Sequence, residues 1–451
     1  MFTLSTDGWL LFGTRIIRLF AYGFLSVVLV FFLAAAGLTE TQIGVLLTLT
    51  LIGDTVISLW ITTTADRIGR RRMLITGAVL MVFGGTLFTV ASNFALLVVA
   101  ATIGVISPSG NEVGPFLSIE QAALAQIIPP ARRTSIFAWY NLVGSFATAL
   151  GALSVGALSQ GLHITGVSAL GGYRTIVMSY AAMGSLIAFL FTRLSPAVEA
   201  TQTDQGSESR LLRKSGAGNP AGSSSSAERA LSGIEGRLGL RGSGRVVLKL
   251  SALFSLDAFA GGFVLQSIVA YWFYVRFGVQ PAVLGGIFFG GNILAGLSAL
   301  AAARLASRIG LINTMVFTHF PSNILLILVP LMPNLHWAIV VLLARFSISQ
   351  MDVPTRQSFT MAVVDPDERS AAAGVTSIAR SVGSSLAPAL AGRLMGASLL
   401  NVPFFLAGGL KIVYDLLLYQ SFRAIKTSEE TTARSARCSM IDSSPKVESP
   451  K

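Results

Sequence analysis

The stretch ADRIGRRRML, residues 65–74, places four arginines, Arg67, Arg70, Arg71 and Arg72, between two long apolar runs. The run before it is TQIGVLLTLTLIGDTVISLWITTT, and the run after it is MLITGAVLMVFGGTLFTVA. Each is close to the roughly 20 apolar residues with which a helix crosses the hydrocarbon core of a bilayer. A short cationic turn between two such runs is typical of a loop that joins two membrane helices and keeps its arginines near lipid headgroups.

The composition of the chain supports this interpretation. The 451 residues are 53% hydrophobic and only 12% charged, with a mean hydropathy of +0.69, whereas a typical soluble domain is about 25% charged. The net charge of +12 does not indicate a nucleic-acid-binding protein, because the arginines form short clusters between apolar runs rather than one face. The single cysteine, Cys438, excludes an intramolecular disulfide framework.

Twelve runs in the sequence are long and apolar enough to span a bilayer. We therefore predict an all-α membrane protein with twelve transmembrane helices. The fourth and tenth runs are long and carry polar residues, so we expect those two helices to be broken or tilted. The runs lie at 10–34, 42–64, 73–91, 95–127, 134–159, 174–193, 246–274, 281–303, 312–331, 336–363, 370–395 and 402–422.

The arginines of the short loops are distributed unequally between the two ends of these helices. The six loops on one side hold Arg276, and they also hold Arg174 if the sixth helix starts after Arg174. The positive-inside rule therefore places the other side, and both termini, in the cytoplasm, with the plasma membrane as the default location. The cytoplasmic loops 65–72, 128–133, 304–311 and 364–369 hold nine arginines: Arg67, Arg70, Arg71, Arg72, Arg132, Arg133, Arg304, Arg308 and Arg369.

Residues 196–245 interrupt the apolar pattern, because eighteen of these fifty residues are glycine or serine and they have no periodic apolar face. Such a composition is typical of a flexible linker, here a cytoplasmic one. The linker divides the chain into an N-terminal six-helix half, 1–195, and a C-terminal six-helix half, 246–422. The polar segment 423–451 is predicted to be a disordered cytoplasmic tail.

The two halves carry traces of an internal repeat. IEQAALAQIIPPARRTS, residues 119–135, aligns with TRQSFTMAVVDPDERSA, residues 355–371, at a constant offset of 236 residues. A second trace pairs Arg67-Ile68-Gly69 with RIG at 308–310, and both copies fall between the second and third helices of a half. Two agreeing positions indicate a duplicated six-helix unit. The offset pairs Gln121 with Gln357, Pro130 with Pro366, Arg133 with Arg369 and Gly156 with Gly392.

The whole spanning region resembles the major facilitator superfamily, in particular its twelve-helix drug and metabolite transporters. That family carries Gly-x-x-x-Asp-Arg-x-Gly-Arg-Arg between its second and third helices, and this chain has Thr62 in place of the first glycine. The resemblance implies two pseudo-repeat halves that alternate access to a central site. It also implies a cytoplasmic gating motif formed by Asp66, Arg67, Gly69, Arg70 and Arg71.

Asp66 lies at the predicted C-terminal end of a helix, where the helix dipole disfavours a carboxylate. It therefore needs a partner. We hypothesise that Asp66 pairs with Arg70 in the outward-open state only and so latches that state. The alternative is that the motif is a topology anchor and nothing more.

Two aspartates are predicted to lie within the bilayer, where a charge costs about 3 kcal/mol on insertion scales. Asp54 is twelve residues before Asp66, which is about 18 Å along a helix. It has no charged neighbour at i±3 or i±4, so it is a candidate for binding a proton. Asp257 in the seventh helix precedes two glycines that permit a bend. For each the alternative is a structural bond between helices.

The fourth helix contributes two further carboxylates. Glu112 lies among prolines and glycines in SPSGNEVGPFLSIEQ, and Glu120 lies one to two turns further along. This segment is predicted to be a kinked, water-lined part of the helix, and both glutamates are candidates for the transport path. The alternative is that they satisfy the broken backbone.

The tenth and eleventh helices contribute the other candidates for the path of the substrate or proton. Asp352 and Arg356 are four residues apart and are expected to pair on one helix face, with Arg345 on that same face. Arg380 has no local partner, so it is the best candidate to hold an anionic substrate group or a carboxylate such as Asp352.

Two pairs of charged residues are interpreted as structural. Lys411 and Asp415 are four residues apart and are expected to pair with each other. Arg15 and Arg18 lie near the cytoplasmic end of the first helix, where long side chains reach the headgroups.

The predicted function is secondary active transport of a small solute, with proton-coupled efflux of a small organic molecule as the leading hypothesis. The fifth helix lacks the GPxxGG ending that exporters of the resembling family often carry, so uptake or facilitated transport of an organic anion is the alternative. A non-transporting receptor or scaffold is an alternative of another class. The sequence has no GxxxxGK[ST] or GxSxG motif, and its histidines are not spaced as metal ligands are, so we expect a protein that is not an enzyme and needs no cofactor. We also expect a monomer.

Overall fold

The computed structural model describes residues 4–91, 93–112, 114–129, 132–199, 243–365 and 368–423, and all of its regular elements there are helices. The α-helices are α1 Thr6–Ala35, α2 Glu40–Ile68, α3 Arg70–Val90, α4 Phe94–Ile103, α5 Phe116–Ile127, α6 Arg133–Ile164, α7 Ala169–Thr192, α8 Gly244–Gly262, α9 Gln266–Phe277, α10 Pro281–Ile309, α11 Leu311–Leu328, α12 Leu335–Ser349, α13 Asp352–Ala362, α14 Arg369–Gly396 and α15 Val402–Phe422. Two 3-10 helices, Pro196–Val198 and Val329–Leu331, follow α7 and α11.

These helices confirm the predicted all-α membrane fold with twelve spans. Ten stretches are long and apolar enough to cross a membrane by length and composition alone. The other two spans are the broken pair α4–α5 and the more polar α14. The predicted linker and tail lie almost wholly outside the described residues, so the domain boundaries stay a prediction.

Three spans are broken into two helices each: α4–α5, α8–α9 and α12–α13. In the fourth span, α4 ends before Gly104, and Gly110 and Gly114 take φ values of +71° and +83°, a region that favours glycine. Ser107 Oγ donates to the carbonyl of Asn111 at 2.7 Å and so satisfies part of the freed backbone. The expected breaks in the fourth and tenth spans are confirmed.

The internal repeat is visible in the helix boundaries. Helices α5 and α13 begin at Phe116 and Asp352, and α6 and α14 begin at Arg133 and Arg369, both at the predicted offset of 236 residues. At the paired RIG turns, Gly69 has a φ of +116° and ends α2, as the glycine at 310 with a φ of +89° ends α10.

The two halves touch through small residues, where α2 packs on α14 and α6 packs on α10. A Cβ added to Gly44 would lie 2.5 Å from the carbonyl oxygen of Pro388 and 2.8 Å from Cα of Gly392. Similarly, a Cβ on Gly156 would lie 2.8 Å from the carbonyl oxygen of Ala282. Gly156 and Gly392 are partners in the repeat, so both halves use the same position for close helix contact.

These contacts lie toward one end of the bundle. The other end carries the turn with Arg67, Arg70, Arg71 and Arg72, and also the turn after Arg308. We call that end the basic face, and the end with the glycine contacts the opposite face.

Candidate functional site

A polar cavity lies between the two halves. Its larger chamber has a volume of about 850 Å³ and is lined mainly by α2, the break of the fourth span, α8 and α14. A smaller chamber of about 340 Å³ lies on the side of α6 and α10, and Glu112 and Arg345 line both chambers. The larger chamber extends along α2 to Thr63 and along α14 to Gly374. The cavity therefore opens toward the basic face.

The opposite face is closed by hydrogen bonds between the halves. Tyr271 of α9 donates to a Glu40 carboxylate oxygen on α2 at 3.0 Å. The backbone N–H of Ala389 on α14 donates to Thr48 Oγ1 on α2 at 2.9 Å. These bonds lie beside the Gly44 contact, so the structure is in a state open to one side of the membrane only.

Asp54 lies on α2 at the wall of the larger chamber, facing the break of the fourth span. The backbone N–H of Gly114 donates to its carboxyl group. In the described part of the chain, its Oδ1 is buried and has no hydrogen-bond partner. Asp54 is thus a cavity carboxyl that retains an open acceptor position.

The N-terminal half contains a closed cluster of two arginines and two glutamates. Arg18 binds Glu120 through two hydrogen bonds of 2.7 Å and Glu112 through one of 2.9 Å. Arg15 binds Glu112 at 2.8 Å. Tyr140 also donates to Glu120. The charges balance two against two.

This cluster corrects the interpretation of the two arginines, which do not reach the headgroups. Arg15 is 5% exposed and Arg18 is 0% exposed. Their glutamate partners come from the fourth span, and Glu120 lies 102 residues after Arg18. The spacing of charges along α1 therefore could not predict these pairs. Of the two glutamates, Glu112 lines the cavity and Glu120 lies behind it, fully buried.

In the C-terminal half, Asp257 is the centre of a larger cluster. Its Oδ1 accepts from Lys411 Nζ at 2.5 Å. Its Oδ2 accepts from Arg356 and Arg380, each at 3.3 Å. The predicted pair of Asp352 and Arg356 is present at 2.9 Å, behind Asp257. Arg380 holds Asp257 rather than Asp352.

The expected pair of Lys411 and Asp415 does not form. Lys411 turns to Asp257, and Asp415 lies 2.8 Å from Nδ1 of His319 and accepts from Asn323 at 2.9 Å. Sequence reasoning missed His319, because we tested the histidines only for metal spacing. The available signal was a histidine followed by an asparagine four residues later within an apolar helix.

Arg345 differs from the other arginines of this half. It lines both chambers and stacks near the ring of Phe346, with 5.5 Å from Cζ to the ring centroid. Among the described residues, none accepts a hydrogen bond from its buried Nε. The cluster therefore holds four cations against three carboxylates, with the imidazole aside: Lys411, Arg345, Arg356 and Arg380 against Asp257, Asp352 and Asp415.

The gating motif lies at the basic face, in contact with the chain that follows α7. Arg70 binds Asp66 at 2.7 Å, and Glu199 accepts from the backbone N–H groups of Arg70 and Arg71 at the start of α3. Arg67 is exposed. The pair of Asp66 and Arg70 is present while the cavity is open toward the basic face. Our hypothesis of an outward-open latch required this pair to form only when the basic face is closed. The pair is therefore not confined to that state.

The fold and the cavity together define a membrane transporter: two repeated six-span halves enclose a polar space that opens to one side. The sequence profile of the Major Facilitator Superfamily matches residues 11–388, and the chain belongs to this family. It is a multi-pass membrane transporter rather than an enzyme. Within the described residues, no group of three or more His, Cys, Asp or Glu side chains is arranged to hold a metal ion.

Individual relatives agree with this assignment. An uncharacterized membrane protein of Saccharomyces cerevisiae, YJR124C, is 31% identical over 438 residues, covering 93% of this chain and 95% of that protein. The nucleoside transporter NupG matches with a TM-score of 0.65 and 13% identity, covering 94% of this chain and all of that chain. The human organic anion transporter MFSD10 matches with a TM-score of 0.58 and 16% identity, covering 92% and 100%. At these identities the two solved structures show the fold alone.

Proposed function

We propose that the chain is a secondary active transporter that moves a small organic anion, together with protons, by alternating access. The observation that carries this proposal is Arg345, which lines both chambers of the cavity and whose Nε has no acceptor among the described residues. A buried donor that lacks an acceptor is costly, and an anion bound to this guanidinium would supply an acceptor and a negative charge.

The surroundings of Arg345 favour an anion over a cation. The cluster of the C-terminal half holds one more cation than carboxylates. Arg380 lines the same chamber, its side chain is 34% exposed, and its hydrogen bond to Asp257 is long at 3.3 Å. Arg380 is therefore available as a second donor for a carboxylate or sulfonate group. The fold that MFSD10 shares with this chain is compatible with an anionic substrate.

Asp54 is our proposed proton-binding group. It lines the same cavity from the N-terminal half, and its Oδ1 has no hydrogen-bond partner in the part of the chain that the structure describes. A scaffold or receptor gains nothing from a carboxyl group placed where a charge costs about 3 kcal/mol. A transporter gains a site that binds a proton on one side of the membrane and releases it on the other.

The positive-inside rule assigns the basic face to the cytoplasm, which makes this conformation inward-open. Efflux and the plasma membrane were predicted from the sequence and stay predictions. Efflux driven by an inward proton gradient requires exchange of the anion for a proton, whereas uptake requires that both move together.

The test uses purified full-length protein in liposomes that contain a pH-sensitive dye. Gluconate, benzenesulfonate and sulfate serve as anions, with mannitol and choline as neutral and cationic controls. We expect the wild type to respond to an added anion and not to mannitol or choline. Acidification of the lumen indicates movement with protons, and alkalinisation indicates exchange.

Two variants decide the role of Arg345. Arg345→Gln should abolish the response to anions, whereas Arg276→Gln, at an exposed arginine near the opposite face, should retain it. A response to choline but not to the anions would refute the proposed substrate class. An unchanged anion response in Arg345→Gln would refute the proposed role of this residue.

A further inference from the structure

Three titratable side chains form a row that runs from the cavity wall into the C-terminal half. Asp257 lines the cavity, His319 is 5% exposed and Asp415 is 0% exposed. Nδ1 of His319 lies 2.8 Å from an Asp415 oxygen, and Nε2 lies 3.7 Å from Oδ1 of Asp257. The function proposed above uses neither the imidazole nor Asp415.

We propose that Asp257, His319 and Asp415 form a proton relay, and that a proton taken up by His319 releases Arg380 from Asp257 to bind the transported anion. This inference rests on the proposed function, because it requires an anion in the cavity. It adds a second proton-binding group, in the other half from Asp54. It also determines the coupling, because the proton and the anion promote each other's binding and so move in the same direction.

A 2.8 Å hydrogen bond on one side of the imidazole and a 3.7 Å approach on the other define the route of the proton. With Asp415 ionised, the imidazole donates from Nδ1 to that carboxylate, so Nε2 carries the lone pair and faces Asp257. Asn323 donates to the second Asp415 oxygen at 2.9 Å and stabilises its ionised form. A proton from cavity water binds Asp257 and passes to Nε2 when the two side chains close their 3.7 Å separation to hydrogen-bond distance. The O–H bond breaks as the N–H bond forms, which leaves an imidazolium between two carboxylates.

The new positive charge changes the competition for Asp257. This carboxylate already accepts from Lys411, Arg356 and Arg380. Lys411 is held at 2.5 Å, and Arg356 and Arg380 each lie 3.3 Å from Asp257. Arg356 is buried and anchored by Asp352 at 2.9 Å, whereas Arg380 has the more exposed side chain, on the cavity wall. Arg380 is therefore the donor that the imidazolium displaces toward the cavity. By linkage, an anion bound to Arg380 favours the protonated imidazole to the same degree.

The other charged groups around His319 agree with this scheme. Helix α15 presents Lys411 and the phenol of Tyr414, whose ring meets the imidazole edge-on at 5.8 Å. Helices α12 and α13 present Arg345 and the bonded pair of Asp352 and Arg356. Helix α10 carries charges only at Arg304 and Arg308, near the basic face. A protonated His319 thus adds to a local excess of positive charge, which a bound anion offsets.

The test measures anion binding to the purified full-length protein by calorimetry at about pH 7.5 and about pH 5.5, a range that spans histidine titration. Gluconate, benzenesulfonate and sulfate are the probes, because each keeps its negative charge over this range. We expect the wild type to bind at least one of them about tenfold more tightly at the lower pH, within the usual range of coupling between two sites.

Three variants separate this relay from other causes of pH dependence. His319→Gln should remove the acid-induced gain in affinity, and Asp415→Asn should reduce it, because the imidazolium loses its anionic partner. His336→Gln, at an exposed histidine near the opposite face, should keep the wild-type gain. If His319→Gln does not fold, Asp415→Asn decides the question alone.

The outcomes distinguish the two proposals. A full tenfold gain in both His319→Gln and Asp415→Asn would overturn the relay and leave anion transport standing. Anion binding that is independent of pH in the wild type would do the same. No binding of any probe at either pH would refute the proposed function, and the relay with it.

Discussion

The two halves each bury a charge cluster beside the same cavity, but the clusters differ in balance and closure. In the N-terminal half, two arginines meet two glutamates, and Arg18 and Glu120 are both 0% exposed. In the C-terminal half, cations outnumber carboxylates, Arg380 is partly exposed, and Arg345 has a free donor within the described structure. A cluster whose charges balance and pair with each other holds helices together, whereas a cluster with excess positive charge and an unused donor is suited to bind an anion. Under the proposed function, the N-terminal cluster is structural and the C-terminal cluster binds the anion.

The largest effect should come from breaking the cluster of arginines and glutamates in the N-terminal half. Arg18→Met leaves Glu120 without its guanidinium partner and Glu112 with Arg15 alone. Breaking a buried ion pair from one side typically costs about 3–5 kcal/mol. We expect a correspondingly lower free energy of unfolding, measured by chemical denaturation in detergent. The double variant Arg18→Met/Glu120→Met should regain most of the loss, because no buried charge is then left unpaired. A stable single variant would show that the cluster is not structural.

Arg345→Gln probes the charge cluster of the C-terminal half. This variant should change the affinity for the anion rather than the stability of the protein. A hydrogen bond to a charged group contributes about 1.5–3 kcal/mol, so anion affinity should fall roughly 10- to 100-fold. The free energy of unfolding should stay the same or rise, because Arg345 Nε has no acceptor to lose among the described residues. Binding and unfolding are measured on the same preparation, with Arg276→Gln as the control. A strongly destabilised variant with unchanged affinity would reverse the comparison between the halves.

The sequence predicts what depends on local chemistry. Apolar runs predict the twelve spans, and the glycines and prolines around Glu112 predict the break of the fourth span. The spacing of Asp352 and Arg356 predicts a bond along one helix face, which the structure contains at 2.9 Å. The repeat is predicted as well, because its turns and helix starts are encoded in short matching segments.

The partners that cross between helices could not be predicted in this way. The same i to i+4 spacing that succeeds for Asp352 fails for Lys411, whose partner Asp257 is 154 residues away. In a bundle of twelve helices, the rotation of each helix decides which charges meet, and packing sets that rotation. His319 illustrates this, because its partner Asp415 lies 96 residues further along the chain.

Asp54→Asn sharpens the comparison by testing a cavity carboxyl of the N-terminal half that lies outside the cluster of arginines and glutamates. We expect a gain in stability of about 1 kcal/mol, because the variant no longer holds an unpaired carboxyl in the bilayer. Anion binding should persist, whereas the pH change that accompanies transport in liposomes should shrink or vanish. Asp365→Asn, at an exposed aspartate of the basic face, is the matched control. Full proton movement in Asp54→Asn would assign proton coupling to the C-terminal half alone.

The smallest effect should come from the contact that joins the halves at the opposite face, because it leaves both clusters intact. Tyr271→Phe removes the 3.0 Å bond to Glu40, and such a bond contributes about 1 kcal/mol. The state closed on the opposite face should therefore lose about fivefold in population relative to the alternative state. Spin labels on the ends of α2 and α14 at both faces measure this ratio, and Tyr274→Phe, one turn along and exposed, is the control. One outcome is that the ratio shifts, while the unfolding free energy and the anion affinity within each state stay the same. The two clusters then act as independent units, and the contact between Glu40 and Tyr271 sets only the relative orientation of the halves. If anion affinity within a state falls as well, the clusters are coupled through this contact, and the division into a structural half and a binding half is too simple.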